Sequence, residues 1–169
     1  MSTRKSLKKN TELRCINHDK STIIYTIQNE IGRGGSCIVY DAYYINNAGK
    51  QNPVRIKECY PFKLNIVRDE NGQLTPVEWD NEKFNQYKQR LKESFEISNE
   101  LFTTSGLTNS IANPVDIYET NNTIYIVTSY LEGETISSDM FRSLKECVTV
   151  VKSTAKAIRS DSHHCREFR

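Results

Sequence analysis

The sequence predicts an α+β fold: a five-stranded antiparallel sheet, a long helix between its strands, and one or two further helices at the end. Runs rich in β-branched and aromatic residues recur around short turn-forming loops over residues 25–59, and again over 115–130. Between these blocks, apolar residues from Phe84 to Phe102 repeat at helical spacing, and after Gly133 the pattern turns helical once more.

Tyr25 to Ile31 alternates apolar and polar residues, as a half-buried strand does, and runs into the cluster Gly32, Gly34 and Gly35. Cys37 to Tyr44 is the returning strand. Asn46 to Lys50 is a turn-type loop, and Pro53 to Cys59 forms a third strand. Asn71-Gly72, between the short runs Ile66–Arg68 and Gln73–Thr75, predicts a small hairpin in the segment from Pro61 to Trp79. The helix follows over about Asp80 to Thr104, with Phe84, Tyr87, Leu91, Phe95 and Phe102 on one face and Gly106 ending it. Val115–Glu119 and Thr123–Tyr130 are two strands joined by Thr120-Asn121-Asn122. Leu144, Val148, Val151, Ala155 and Ile158 then share one stripe of a last helix.

Length and charge narrow the function classes. The chain of 169 residues suffices for one domain with its own core. A formal net charge of +2 points away from a dedicated nucleic-acid binder, and 37% hydrophobic residues point away from disorder. Arg4, Lys5, Lys8, Lys9, Arg14 and Lys20 crowd the start, which reads as a flexible basic arm over residues 1–20. No apolar run is long enough for a membrane span or a signal-peptide core, and five cysteines without Cys-x-x-Cys spacing read as reduced thiols, so a cytoplasmic protein is expected.

The chemistry sits at the first turn and the third strand. Glycines at 32, 34 and 35 let the backbone turn tightly and approach a ligand, with amide N–H groups able to face phosphate oxygens. A glycine turn by itself is as often an ordinary hairpin. Lys57, one strand further on, adds a cation able to neutralise the same phosphates.

In order and in residues, these parts resemble the protein kinase superfamily. Gly32-x-Gly34, Val39, Val54-x-Ile56-Lys57, a long helix, and then Thr123 to Gly133 look like the glycine-rich loop, strand-three lysine, helix C, strand five and hinge. Ile56-Lys57-Glu58-Cys59-Tyr60-Pro61 is similar to the motif of bacterial Ser/Thr kinases that read Gly-x-Gly-Gly in the loop. The resemblance implies a kinase N-lobe over residues 21–133, the start of a C-lobe over 134–169, and ATP as ligand, with Mg²⁺ only where a complete C-lobe is supplied. It implies that Ile31 and Val39 enclose the adenine, and that the amides of Gly32, Gly34 and Gly35 cover the phosphates. Lys57 would hold the α- and β-phosphates, the backbone at Ser129 and Leu131 the adenine edge, and Thr128 would guard the back of the pocket. For Ile31, Val39 and Thr128, ordinary packing is an equal reading.

Three residues depart from the family pattern. Cys37 stands where a third loop glycine is usual, and Arg55 where a small alanine is usual. Arg55 shares a strand face with Lys57, so it either crowds the adenine site, turns out to solvent, or binds a phosphate itself. At the inward helix position where the family carries a glutamate for the lysine, this chain has Ser98, while Glu82, Glu93, Glu96 and Glu100 fall on the solvent face; a one-residue bulge or a shifted helix axis would bring in Glu96 as the alternative.

No His-Arg-Asp-type loop and no Asp-Phe-Gly-type metal site occurs in the sequence, and His163, His164 and Cys165 are too closely spaced for a tetrahedral site, so no metal is expected. The passage from the last helical stripe into a polar tail reads as a truncated or frame-shifted frame. Two functions follow: a Ser/Thr protein kinase domain present as an N-lobe fragment inactive alone, or a non-catalytic, pseudokinase-like module that binds nucleotide or protein. The Leu144–Ile158 stripe adds an expectation of self-association or a protein partner.

Overall fold

The computed structural model describes residues 4–17, 19–104, 112–132, 143 and 145–155. Six strands form one antiparallel sheet: β1 (Glu12–Ile16), β2 (Thr22–Arg33), β3 (Cys37–Ile45), β4 (Gln51–Cys59), β7 (Pro114–Thr120) and β8 (Thr123–Ser129). Their spatial order is β1-β2-β3-β4-β8-β7. A separate hairpin pairs β5 (Ile66–Arg68) with β6 (Leu74–Pro76). The long helix α1 spans Asn81–Thr104, after a single 3-10 turn at Glu78–Asp80 that takes up the residue expected to open it. A second helix, α2, covers residues 145–155.

The sheet therefore has six strands where five were expected, and the additional one comes from the stretch expected to be a flexible basic arm. Leu13 and Cys15 are buried and alternate with exposed Glu12, Arg14 and Ile16, and β1 pairs with β2 from Glu12↔Thr26 to Ile16↔Thr22. Arg4 is only 8% exposed. The many lysines and arginines hid a two-residue periodicity that is sufficient to bury one face of a short strand.

Side chains from alternate positions meet in a single core. Tyr25, Ile27, Tyr40, Ala42, Val54, Ile56, Tyr125 and Val127 of the sheet belong to it, together with Phe84 of α1 and with Ile66 and Leu74 of the hairpin. Tyr87 and Leu91 of α1 pack against the same cluster. At the sheet's outer edges, the Tyr118 hydroxyl of β7 lies 2.7 Å from Asn17 Oδ1, in the turn after β1. The predicted Asn71-Gly72 turn closes the hairpin: Gly72 has φ 89°, and Asp69 Oδ1 accepts the N–H groups of Asn71 and Gln73, each at 2.9 Å.

The chain divides into two compact units, Met1–Phe95 with Pro114–Tyr130, and Glu96–Asn113 with Leu131–Arg169. In the second unit, Val148, Val151 and Ala155 of α2 are exposed, whereas Leu144 and Ile158 of the expected stripe lie outside the described residues, as does Gly106. No helix among the described residues is long and apolar enough to cross a membrane.

Candidate functional site

β2 and β3 meet in the glycine turn, which is fastened from several sides. Gly32 pairs with Val39, and the Gly34 N–H donates to the Cys37 carbonyl at 2.8 Å. The Gly35 carbonyl accepts the Phe62 N–H at 2.8 Å, and the Ser36 carbonyl accepts the Tyr60 N–H at 2.9 Å. Arg4 donates to the Tyr60 carbonyl at 2.6 Å and to the Cys37 carbonyl at 3.5 Å, with its guanidinium 5.5 Å from the Phe62 ring centre. Arg33 completes the latch by donating to the Arg4 carbonyl at 2.8 Å and to Glu30. Ser6 also reaches Glu30. A Cβ added at Gly32 or Gly35 would meet nothing within 4 Å, so the space above the turn is open.

The β4 register sets what faces what. Lys57 lies opposite Val39 on one side and Ile126 on the other, and Arg55 lies opposite Asp41 and Thr128. Because side chains two apart share a face, Val39, Asp41, Arg55, Lys57, Ile126 and Thr128 belong to one side of three adjacent strands. Lys57 is exposed and makes no ion pair among the described residues. Glu96 is exposed and Ser98 half-buried; both belong to the second unit. Glu82, Glu93 and Glu100 are exposed on α1.

Lys57, Val39, Gly32 and Thr128, grouped in the sequence by position alone, lie in one region of the sheet. Ile31 sits at a bulge between Glu30 and Gly32 and is exposed, and Ser129 projects by register to the face opposite Lys57, leaving its backbone at the strand end. Leu131 is exposed and belongs to the second unit.

Three features had escaped the sequence. Arg55 neither projects freely nor stands alone: its Nε lies 3.6 Å from Asp41 Oδ1, and its guanidinium sits 5.3 Å from the centre of the Tyr130 ring. Glu58, on the opposite face from Lys57, is fully buried, accepting from the Tyr40 and Tyr125 hydroxyls at 2.8 Å each and from Arg68 at 2.5 Å. Arg68 in turn donates to the Lys5 and Gly72 carbonyls, both at 2.8 Å, so one carboxylate ties the N-terminal segment and the hairpin to the sheet. Cys37, in place of a third loop glycine, is a buried thiol whose pKa is pushed up by burial, against the opposing influence of a Ser36 hydrogen bond and the nearby Lys57 charge.

No protein-family model matches the chain, and no curated protein matches it. A solved structure does: PpkA-294 in its apo form, a bacterial Ser/Thr kinase fragment, aligns with TM-score 0.59 and 24% identity over 77% of this chain. The fold is kinase-like. The chain spans 40% of the length of that structure, and at this identity the likeness carries the fold alone.

Among the described residues, no group of three or more His, Cys, Asp or Glu side chains is placed to bind an ion, and Asp41, on the face of Lys57, is engaged by Arg55. His163, His164 and Cys165 lie outside the described residues.

Proposed function

We propose that this chain is a phosphate-binding module built on a Ser/Thr kinase N-lobe, taking the phosphates of a nucleotide such as ATP without transferring them by itself. The observation that carries this reading is Lys57: a cation without a carboxylate partner among the described residues, on the sheet face it shares with Val39, one strand from an open glycine turn. A phosphate there would meet a charge not already compensated, together with backbone amides near the turn.

Phosphoryl transfer depends on a base that orients the hydroxyl and on metal ligands that neutralise the developing charge. The sequence has no His-Arg-Asp-type or Asp-Phe-Gly-type motif to supply them. The purified chain is therefore expected to show no autophosphorylation with ATP and Mg²⁺. A second reading, a Ser/Thr kinase domain that becomes active when C-lobe residues are supplied by another polypeptide, is favoured by the kinase-like fold.

Titration of ATP by calorimetry, with Mg²⁺ and with EDTA, tests the first reading. Binding that changes by less than roughly threefold between the two conditions supports it. Binding at least tenfold tighter with Mg²⁺ would point to a metal site in the chain and favour the second. Absence of binding in both would overturn the nucleotide reading.

A further inference from the structure

Arg55, Asp41 and Tyr130 form a cluster that changes what the Lys57 face can accept. Arg55 and Asp41 are direct cross-strand partners, and Arg55 stands two residues before Lys57 on the same strand. Arg55 Nε and Asp41 Oδ1 are buried atoms without a hydrogen bond, and their attraction across 3.6 Å is what offsets their loss of water. On its other side the planar guanidinium lies over the Tyr130 ring, 5.3 Å from its centre.

From this geometry, and resting on the phosphate-binding role proposed above, we infer that the site takes a polyphosphate group without selecting the base attached to it. A flat purine would bind by stacking on an aromatic surface, and the face of the Tyr130 ring turned toward Arg55 is already taken by a flat cation of the protein itself. Admitting a base on that face would require Arg55 to leave both Tyr130 and Asp41, exposing a carboxylate whose buried oxygen has no other partner. Arg55 also does not compete for the phosphates, because Asp41 compensates its charge. Lys57 has no such compensation, so the phosphate end of a ligand goes to Lys57 and the base end gains nothing.

Calorimetric titration of the full chain with ATP, GTP and inorganic tripolyphosphate tests the inference. The three dissociation constants are expected to agree within roughly threefold. In the Asp41→Val/Arg55→Ala double variant, which removes the charge pair as a unit, ATP is expected to bind at least tenfold more tightly than tripolyphosphate, while the tripolyphosphate constant stays within roughly threefold of the wild-type value. A wild-type preference of tenfold or more for ATP over tripolyphosphate would overturn the inference and leave the proposed function standing. So would a folded double variant that gains no base preference. If the folded wild-type chain binds none of the three, the proposed function itself fails and this inference with it. The wild-type comparison decides the matter even where the double variant does not fold.

Discussion

Glu58 Oε2 and an Arg68 guanidinium nitrogen meet at 2.5 Å inside the protein, with 0% and 5% of their side chains exposed, while Lys57, the next residue along the strand, points the other way and finds no counter-ion among the described residues. One strand thus holds a satisfied charge on its buried face and an uncompensated one on its open face. Removing half of a buried pair strands the other half in a medium that solvates it poorly. Glu58→Gln is expected to destabilise the chain by about 3–5 kcal/mol, read as a lower urea midpoint with unchanged slope. The apolar double variant Glu58→Leu/Arg68→Met should recover most of that loss. A cost below about 1 kcal/mol for Glu58→Gln would show that the pair is not closed off from water.

Alkali should unfold the protein through its tyrosines. Burial pushes Tyr25 up to about 12 and raises Tyr40, Tyr118 and Tyr125 as well, with the Glu58 charge adding to the effect at Tyr40 and Tyr125. An acid that holds its proton more tightly when folded stabilises the fold fully below its unfolded value, near 10, and loses that contribution as the pH climbs through the folded value. Tyrosinate absorbance from the buried rings is therefore expected to appear only together with loss of the sheet signal in circular dichroism, above about pH 11. Full tyrosinate absorbance from all nine tyrosines before any loss of the sheet signal would contradict this burial.

The N-terminal segment should act as a latch on the glycine turn. Arg4 spans from the Cys37 carbonyl to the Tyr60 carbonyl, and those two stretches also exchange backbone hydrogen bonds at Ser36 and Gly35. Arg4→Ala leaves the Tyr60 carbonyl without this donor, while the Cys37 carbonyl keeps the Gly34 N–H, and should cost about 1–3 kcal/mol. Hydrogen exchange at the Gly34, Tyr60 and Phe62 amides is expected to speed up in the variant, with the β7 and β8 amides little changed. Uniform acceleration across the sheet would mean that Arg4 supports global stability and not the turn.

Much of this fold was legible because its signals are local. The Asn71-Gly72 turn and the Asn121-Asn122 turn, both Asn residues of the latter at positive φ, announce themselves in residue type. The alternation from Tyr25 and the helical recurrence from Phe84 set β2 and α1. β1 was missed because its evidence is two buried side chains, Leu13 and Cys15, within a stretch dominated by charge. Glu58 carried a usable sign: it follows Val54 and Ile56 at the spacing of one face, so a carboxylate on an apolar face implied a buried partner. Which partner it was could not be read, since Arg68 reaches it from a hairpin whose docking depends on tertiary packing. Similarly, the shared face of Arg55 and Lys57 follows from spacing alone, whereas Asp41 opposite Arg55 requires the β3–β4 register.

The central claim, that Lys57 and the glycine turn hold phosphate, is tested most directly by ATP titration of three proteins: the wild type, Lys57→Ala, and Lys50→Ala in the exposed turn before β4. Lys57→Ala should weaken binding at least tenfold, the loss of a charge-assisted contact of about 1.5–3 kcal/mol, while Lys50→Ala stays within roughly threefold of wild type. Equal losses at the two lysines would mean a diffuse attraction of phosphate to a basic surface, and would contradict a built site at Lys57.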